Sequence, residues 1–552
     1  MSADIVIRGG TVVDGSGAPG IEADVAIEGG AIRAIGKGLD GARELDARGK
    51  VVAPGFIDIH THFDAQVFWD PQLTPSCFHG VTTVVAGNCG FSIAPTRPEH
   101  RTTIARTLEN VEDMDVAALD AGIPWEFETF PEYLASVERR GTVLNYAAYI
   151  GHTALRLFAM GDAAYERAAK DDEIERMAAI VTEAVRAGAA GFATSFAPTH
   201  VGMDGKPVPS RFAERREFEA LCAAVAAAGR GVVAVAPGEN VSIPDLYELQ
   251  PKVGRPFTYG ALLTFPGDGY KQLVALNDAG HAKGASVWPQ VSPRPLQFQL
   301  TLDDPFTFNI AEAFAALMRG TRDARVAAYR DRAFRERALA QLDAHVMRPR
   351  WHTFVVAESP TQPALEGRRV EDVARERGTS VFDAILDIGL ADDLGTRFNA
   401  VLANDDTEGV AWLLTREGVT LGLSDAGAHV GQLCDAPQAT DLLGNWVRDR
   451  GVMSVEDAVR RLSGRQADIF GFAERGYLRP GYRADVVVFD PATVAPGPIR
   501  RVRDFPGDSA RLTADQPTGM AHVLVNGTPI QVDGKVEAEG VAARPGMRPA
   551  IA

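Results

Sequence analysis

Two histidines separated by one residue, His60 and His62, close an apolar run that begins at Val51. Side chains alternate between the two faces of a strand, so residues two apart point the same way. We therefore predict a strand over 56–62 that presents two imidazoles side by side. Neutral imidazole is the commonest metal ligand in proteins, and two on one face form half of a tetrahedral zinc site. The alternative is a pair of half-buried structural histidines.

A carboxylate, Asp425, ends a second apolar stretch at 419–425. A carboxylate can hold a metal or its water, accept a proton from that water and pass the proton to a departing amine. With the histidine pair it predicts metal-assisted hydrolysis, in which a divalent ion lowers the pKa of its bound water to about 7. The alternative is a helix N-cap before Ala426, a position that favours aspartate.

Helix-like and strand-like stretches alternate between these two sites. Apolar residues recur at helical spacing from Asp171 to Ala187, and Gly188, Gly191 and a strand-like stretch from Phe192 follow. Such alternation predicts βα units and a parallel sheet. In a (β/α)₈ barrel the active groups lie at the carboxyl ends of the strands, so closure of the barrel would bring the histidines and Asp425 together.

The chain reads in three pieces. Residues 1–53 and 476–552 hold short β segments with Gly-containing turns, which predict the two parts of one small β domain. Residues 54–475 would form the barrel, with an inserted helical segment near 305–350 that is rich in Ala, Arg and Leu.

Several strings resemble a known superfamily. The segment from Pro54 to His62 resembles the first-strand signature of the amidohydrolase superfamily, and 476–490 and 523–527 resemble its closing segment. More narrowly, 87–95, 151–156 and 422–425 resemble the N-acyl-D-amino-acid deacylases, or D-aminoacylases. The likeness is weakest between 235 and 400. It implies an α/β fold, a (β/α)₈ TIM-like barrel with a small β-sandwich domain built from both termini.

The same resemblance places Cys89 at the metal centre, where many amidohydrolases use a modified lysine. Thiolate is a ligand that zinc accepts readily. The alternative is an inert buried thiol, the usual state of a free cysteine.

One departure from the family pattern concerns the middle strands, where relatives with a full metal centre carry histidines. Here the candidate strand 231–236 runs into Pro237, and 258–264 runs into Phe265. The sequence has no histidine between 200 and 281, and Glu239 is the one oxygen ligand considered in their place. We therefore expect at most one well-held divalent metal, Zn²⁺, bound by residues from the following set: His60, His62, Cys89 and Asp425.

His152, Arg294 and His429 are further candidates for substrate binding. His152 could instead satisfy a backbone carbonyl at a strand end, and His429 could be a second-layer partner of the metal site or a surface residue. His200 and Arg294 lie in predicted loops and could each bind a substrate carboxylate.

Bulk composition agrees with a globular enzyme. The chain has 552 residues, of which 46% are hydrophobic and 23% charged, and its net charge is −17. That charge disfavours nucleic acid and anionic membranes as partners. We see no secretory signal and no run of about 18 apolar residues. Four cysteines without paired spacing predict a reducing cytoplasm. The expected partner is a small-molecule substrate, with a homo-oligomer left open.

These observations predict a metal-dependent hydrolase of a non-peptide C–N amide bond. The expected substrate is an N-acyl (D-)amino acid or a related acylated amine, with Asp425 as the general base. Two alternatives stay open. One is a cyclic amidase of the hydantoin or lactam type, and the other is a catalytically silent amidohydrolase-fold assembly protein.

Overall fold

The computed structural model describes residues 2–202, 205–345 and 348–552. The chain divides into two compact units. The first comprises Met1–Pro293 and Glu408–Ala552, and the second comprises Arg294–Thr407.

A nine-stranded sheet in the first unit combines strands from both ends of the chain. Its core holds apolar side chains from both ends, among them Ile7, Val25, Val486 and Leu524. Its strands are β1 (Ala3–Val12), β2 (Ile21–Glu28), β3 (Ala31–Gly36), β4 (Gly41–Asp46), β5 (Val51–Pro54), β17 (Val486–Phe489), β20 (Met520–Val525), β21 (Thr528–Val532) and β22 (Lys535–Val536). The strand order in the sheet is β22-β21-β20-β17-β5-β1-β2-β3, and β4 also pairs with β1. A separate hairpin is formed by β18 (Arg500–Phe505) and β19 (Ser509–Thr513).

Eight parallel strands form the second sheet of this unit. They are β6 (Phe56–Asp58), β7 (Val81–Ala86), β8 (Asn145–Gly151), β9 (Gly191–Ser195), β10 (Val232–Ala236), β11 (Phe257–Tyr259), β12 (Val287–Val291) and β16 (Thr420–Leu421). Beyond the two edge strands, Thr61 forms a parallel bridge with Ala426, and the His62 N–H donates to the Ala426 carbonyl at 2.7 Å. This bridge joins the edges, and the predicted barrel is confirmed.

Helices connect the strands of the first unit. Helix α5 illustrates why they form, since Ile174, Met177, Val181 and Val185 recur at helical spacing and are all buried. The helices are α1 (Arg101–Glu112), α2 (Val116–Gly122), α3 (Phe130–Arg140), α4 (His152–Met160), α5 (Asp171–Arg186), α6 (Arg215–Ala227), α7 (Ile243–Val253), α8 (Gly269–Ala282), α14 (Thr407–Leu414), α15 (Gln438–Asp441), α16 (Val455–Leu462), α17 (Gly464–Phe470) and α18 (Ala538–Ala542). Within the part of the chain that the structure describes, no helix is both long and apolar enough to cross a bilayer.

The second unit has its own core, centred on aromatic residues such as Phe308, Phe314 and Phe382. Its helices are α9 (Glu312–Met318), α10 (Arg322–Arg330), α11 (Arg332–Ala344), α12 (Val370–Arg377) and α13 (Val381–Ala391). Its antiparallel sheet consists of β13 (Leu296–Leu300), β14 (Val355–Glu358) and β15 (Arg397–Ala403). The helical segment predicted near 305–350 is therefore part of a longer α+β unit.

Candidate metal centre

The structure brings four predicted ligands together. One ligand atom each from His60, His62 and Cys89 lie within 4.8 Å of one another. The Cys89 Sγ lies 3.7 Å from the His60 Nε2. Asp425 Oδ1 is 3.0 Å from the His60 Nε2 and 3.8 Å from the His62 Nε2. His60 and Asp425, from opposite ends of the barrel sequence, therefore lie side by side at the mouth of the closed sheet.

The histidine pair lies just after a strand and not within one, which corrects the strand predicted over 56–62. Strand β6 ends at Asp58, whose Oδ1 accepts the His60 N–H at 3.2 Å, and the Thr61 N–H donates to the Val85 carbonyl of β7 at 3.1 Å. The Thr61 bridge to Ala426 then restores an extended path, and the two imidazole centroids lie 5.4 Å apart. Both rings therefore still lie on one side of the chain.

The turn after β7 presents the Cys89 thiol. Cys89 itself has a left-handed backbone, with φ of +55°. The Asn88 side-chain amide donates to the Val85 carbonyl at 2.9 Å and to the Ile59 carbonyl at 3.2 Å. The turn is therefore tied both to its own strand and to the backbone beside His60.

Asp425 follows β16 and also has a left-handed backbone, with φ of +44°. Its neighbour Ser424 donates a hydrogen bond from Oγ to the His60 carbonyl at 2.9 Å, which couples the two ligand loops. No helix begins at Ala426, since the next helix along these described residues starts at Gln438. The alternative role of Asp425 as a helix N-cap is therefore not observed.

Buried polar partners orient both imidazoles through Nδ1. The His60 Nδ1 lies 2.5 Å from the Gln290 Oε1, and an amide oxygen only accepts, so Nδ1 carries the proton. The His62 Nδ1 lies 3.0 Å from the Glu112 Oε1, and Glu112 is only 2% exposed. Each ring therefore turns Nε2 toward Asp425, the arrangement in which a carboxylate or carbonyl holds a metal-binding histidine in place.

The sequence analysis missed Glu112 and Gln290. Glu112 follows Ile104 and Leu108 at intervals of four, so a carboxylate occupies the apolar stripe of α1. That placement was a readable signal. Gln290 gave a weaker signal in the sequence, because the role of a glutamine in a buried strand can be inferred only when its partner is known.

Electrostatics make this site a receptor for positive charge. Burial raises the pKa of the Asp425 carboxyl, but the charges of His60 and His62 outweigh burial and hold it well below its usual value. Burial likewise raises the pKa of Cys89, and the hydrogen bonds and charges of the two histidines bring it below normal. Burial lowers the pKa of His60, and Asp425 and Cys89 overcome that and raise it to about 10. The pKa of His62 is raised as well, so both rings carry positive charge in the metal-free site. A divalent cation could replace that charge.

The donor set and spacing fit a divalent metal ion. Zn–N bonds of about 2.0–2.1 Å and Zn–S bonds of about 2.3 Å place neighbouring ligands of a tetrahedron about 3.3–3.6 Å apart. In the structure the His60 Nε2 lies 3.0 Å from the Asp425 Oδ1 and 3.7 Å from the Cys89 Sγ, and the His62 Nε2 lies 3.8 Å from the Asp425 Oδ1. Small side-chain adjustments would therefore close the site around one ion.

The other predicted residues lie elsewhere or have different partners. His152 is fully buried, and its ring nitrogens lie 2.7 Å from the Thr194 Oγ1 and 2.8 Å from the Glu217 Oε1. Both nitrogens therefore have protein partners, which does not support the predicted substrate contact. Arg294 belongs to the second unit, and its substrate role stays a prediction.

His429 and Glu239 differ in their relation to the site. Burial raises the pKa of the Glu112 carboxyl, and the charge and hydrogen bond of His62 lower it. The charge of His429 lowers it further. His429 therefore lies near Glu112, and its substrate role stays a prediction. Glu239 is exposed and is not among the clustered ligands, so the structure does not support it as an oxygen ligand.

Comparison with known proteins agrees with this geometry. A family model described as "Amidohydrolase family" matches residues 43–531. The D-aminoacylase of Alcaligenes xylosoxydans xylosoxydans is 31% identical over 536 residues, which cover 96% of this chain and 94% of that protein. The chain therefore belongs to the amidohydrolase family, and the predicted class, hydrolases of non-peptide C–N bonds, is confirmed.

Two solved structures extend the likeness to three dimensions. A crystal structure of D-aminoacylase has a TM-score of 0.67 and 27% identity, with 99% of each chain covered. An N-acyl-D-glutamate deacylase from Bordetella bronchiseptica, complexed with zinc and a phosphonate inhibitor that mimics the tetrahedral intermediate, has a TM-score of 0.67 and 26% identity over 99% of each chain.

Proposed function

We propose that this chain is a zinc-dependent deacylase that hydrolyses N-acyl-D-amino acids. The observation that carries the proposal is the cluster of two oriented imidazoles, the Cys89 thiol and the Asp425 carboxylate. The names of the relatives support the substrate class, and the zinc complex of one relative supports the metal.

The proposed chemistry assigns the proton transfers to Asp425. A divalent ion bound by the cluster supplies Lewis acidity that makes water acidic near neutral pH. The Asp425 carboxylate accepts a proton from the attacking water and later gives that proton to the departing nitrogen. Asp425 suits the first step because its low pKa keeps it ionised, and so able to accept a proton, at neutral pH.

One metal per chain is part of the proposal. The strand β10 ends at Ala236, followed by Pro237, and β11 ends at Tyr259, followed by Gly260. None of these side chains is a usual ligand of zinc. A Cβ added at Gly260 would lie 3.5 Å from the His60 Cε1, so this strand end is close to the site yet offers no donor.

The two alternative functions are a cyclic amidase and a catalytically silent assembly protein. A cyclic amide would use the same water and the same base, so the geometry does not separate it from an acyclic one. A silent assembly protein would have no need of buried Glu112 and Gln290 to hold two imidazoles in ligand orientation. That pair favours an enzyme.

The test is a hydrolysis screen with the metal controlled. The chain is stripped with chelator, loaded with zinc to one equivalent, and assayed with N-acetyl-D- and N-acetyl-L-forms of leucine and glutamate and with hydantoin. We expect zinc-dependent release of a D-amino acid. Preferential hydrolysis of hydantoin would establish the cyclic amidase instead, and no turnover by the zinc-loaded chain would overturn the proposal.

We also propose a cytoplasmic location. All four cysteines are free thiols, which fits a reducing compartment.

A further inference from the structure

His200 is a titratable residue near the metal centre to which the proposed chemistry gives no task. It follows β9, whose last residue, Ser195, holds the ring, with the Ser195 Oγ 2.6 Å from the His200 Nδ1. The carboxyl ends of barrel strands form the mouth where catalytic groups gather. His200 is therefore anchored at the same face as His60 and Asp425.

The hydrogen bonds of Ser195 define which nitrogen of His200 carries the proton. The Ser195 Oγ accepts the Ala197 N–H at 3.1 Å, and among the described residues the His200 Nδ1 is the one acceptor within hydrogen-bond distance of the Ser195 hydroxyl, so we assign the hydroxyl proton to that contact. The neutral ring then carries its hydrogen on Nε2. Burial supports the neutral form, since it lowers the pKa of His200 to about 4. A neutral ring does not form the ion pair with a substrate carboxylate that the sequence suggested.

Packing places the ring beside the Cys89 turn. Phe91, two residues after Cys89, contacts the His200 ring edge-on, with centroids 5.1 Å apart. The turn itself lies against β9, since a Cβ added at Gly90 would be 3.0 Å from the Ala193 carbonyl oxygen. The charges of Glu112, His62 and Asp425 act on His200. Among residues 2–202, 205–345 and 348–552, no side chain or backbone group hydrogen-bonds to its Nε2.

We propose that the Nε2–H of His200 donates a hydrogen bond to the substrate carbonyl oxygen as negative charge develops there. The inference rests on the proposed function. In the addition step the water oxygen bonds to the carbonyl carbon, the π pair moves to the oxygen, and Asp425 takes the water proton. When the C–N bond breaks, the nitrogen receives that proton, and His200 keeps its own throughout. A preorganised donor of this kind stabilises the transition state more than the ground state.

Such a donor would add to the single cation proposed above. A neutral imidazole N–H can stabilise negative charge on the carbonyl oxygen in addition to one metal ion. His200 is then a catalytic residue that contacts the substrate carbonyl oxygen.

The test compares His200→Phe, Ser195→Ala and the control His281→Phe with the wild-type chain. His281 is bonded to the Val287 carbonyl at the start of β12, the opposite end of the barrel. Loss of one oxyanion donor costs about 10²–10³ in kcat. We expect that loss for His200→Phe on the best N-acetyl-D-amino acid of the screen, with KM changed less than about fivefold and zinc content unchanged. His281→Phe should retain wild-type kcat.

A binding measurement separates a catalytic from a merely structural role. The Ki of the N-methylphosphonyl analogue of that same D-amino acid should rise in parallel with the fall in kcat/KM for His200→Phe. Ser195→Ala removes the hydrogen bond that keeps the proton of His200 on Nε2. This variant should show an intermediate loss of kcat with an unchanged melting temperature. Unchanged kcat in His200→Phe, or loss of zinc from it, would overturn the inference alone. A wild-type chain with one zinc and no turnover would overturn the proposed function as well.

Discussion

Asp425 carries two tasks in the proposed site, since its Oδ1 approaches both imidazoles and its carboxylate is the candidate base. Asp425→Asn preserves shape but removes the charge and the proton acceptor. We expect kcat to fall by more than about 10³-fold while circular dichroism and the melting temperature stay near those of the wild type. The exposed Asp533→Asn serves as control. An Asp425→Asn chain with more than a tenth of wild-type kcat would refute the role given to Asp425.

Glu112 makes a second prediction at the scale of residues. Glu112→Gln keeps an oxygen near the His62 Nδ1 but removes the charge that supports the ring as a ligand. Loss of such a partner typically weakens metal affinity by about 10–100-fold. Competition with a chromophoric chelator measures the zinc affinity directly. The matched control is Glu109→Gln on the exposed side of the same helix, and equal affinities for both variants would contradict this role.

Some residues of the candidate metal centre could be predicted from the sequence and others could not. His60, His62 and Asp425 were predictable because each closes an apolar strand-like run, and strand ends meet in a barrel. Glu112 could have been found from its place in the apolar stripe of α1. Gln290 could not, because its role depends on the His60 ring that tertiary structure places beside it.

Among the elements, β9 is held against β10 by a close backbone approach at Gly191. Its φ is +140°, and an added Cβ would lie 1.8 Å from the Val232 carbonyl oxygen. Gly191→Ala should therefore disturb the strand that carries Ser195 and lower the free energy of unfolding by about 3 kcal/mol or more. Gly36→Ala, which meets no atom within 4 Å, should change it by less than about 1 kcal/mol. Chemical denaturation of both variants decides, and similar stabilities would contradict the packing described.

Element boundaries were predicted unevenly. The helix expected from Asp171 to Ala187 appears as α5, because its apolar spacing and acidic first turn agree with its tertiary surroundings. The strand expected over 56–62 is shorter, because the Asp58 side chain captures the His60 N–H. The strand β13 in the second unit was overlooked, although Leu296, Phe298 and Leu300 alternate with polar residues as an edge strand should.

At the scale of the whole molecule, metal binding should couple to stability and to pH. In the metal-free chain the pKa of His60 is about 10, above its unfolded value of 6.5. Its contribution to stability is therefore complete below pH 6.5 and is lost as the pH rises toward 10. A bound zinc ion requires neutral imidazoles, so protons compete with it less as the pH rises.

We therefore expect the difference in melting temperature between zinc-loaded and metal-free protein to widen from pH 6.5 to pH 9. Calorimetry with equal protein and zinc concentrations at each pH measures this gap. A gap that stays constant or narrows over this range would contradict the charge balance assigned to the site.

X-ray absorption at the zinc edge, on the chain loaded with one equivalent of zinc, determines which atoms bind the ion. We expect one sulfur at about 2.3 Å and nitrogen or oxygen neighbours at about 2.0–2.2 Å, with the sulfur lost in Cys89→Ser. A first shell without sulfur in the wild-type chain, or a second zinc bound tightly enough to give metal–metal scattering, would contradict a single ion held by His60, His62, Cys89 and Asp425.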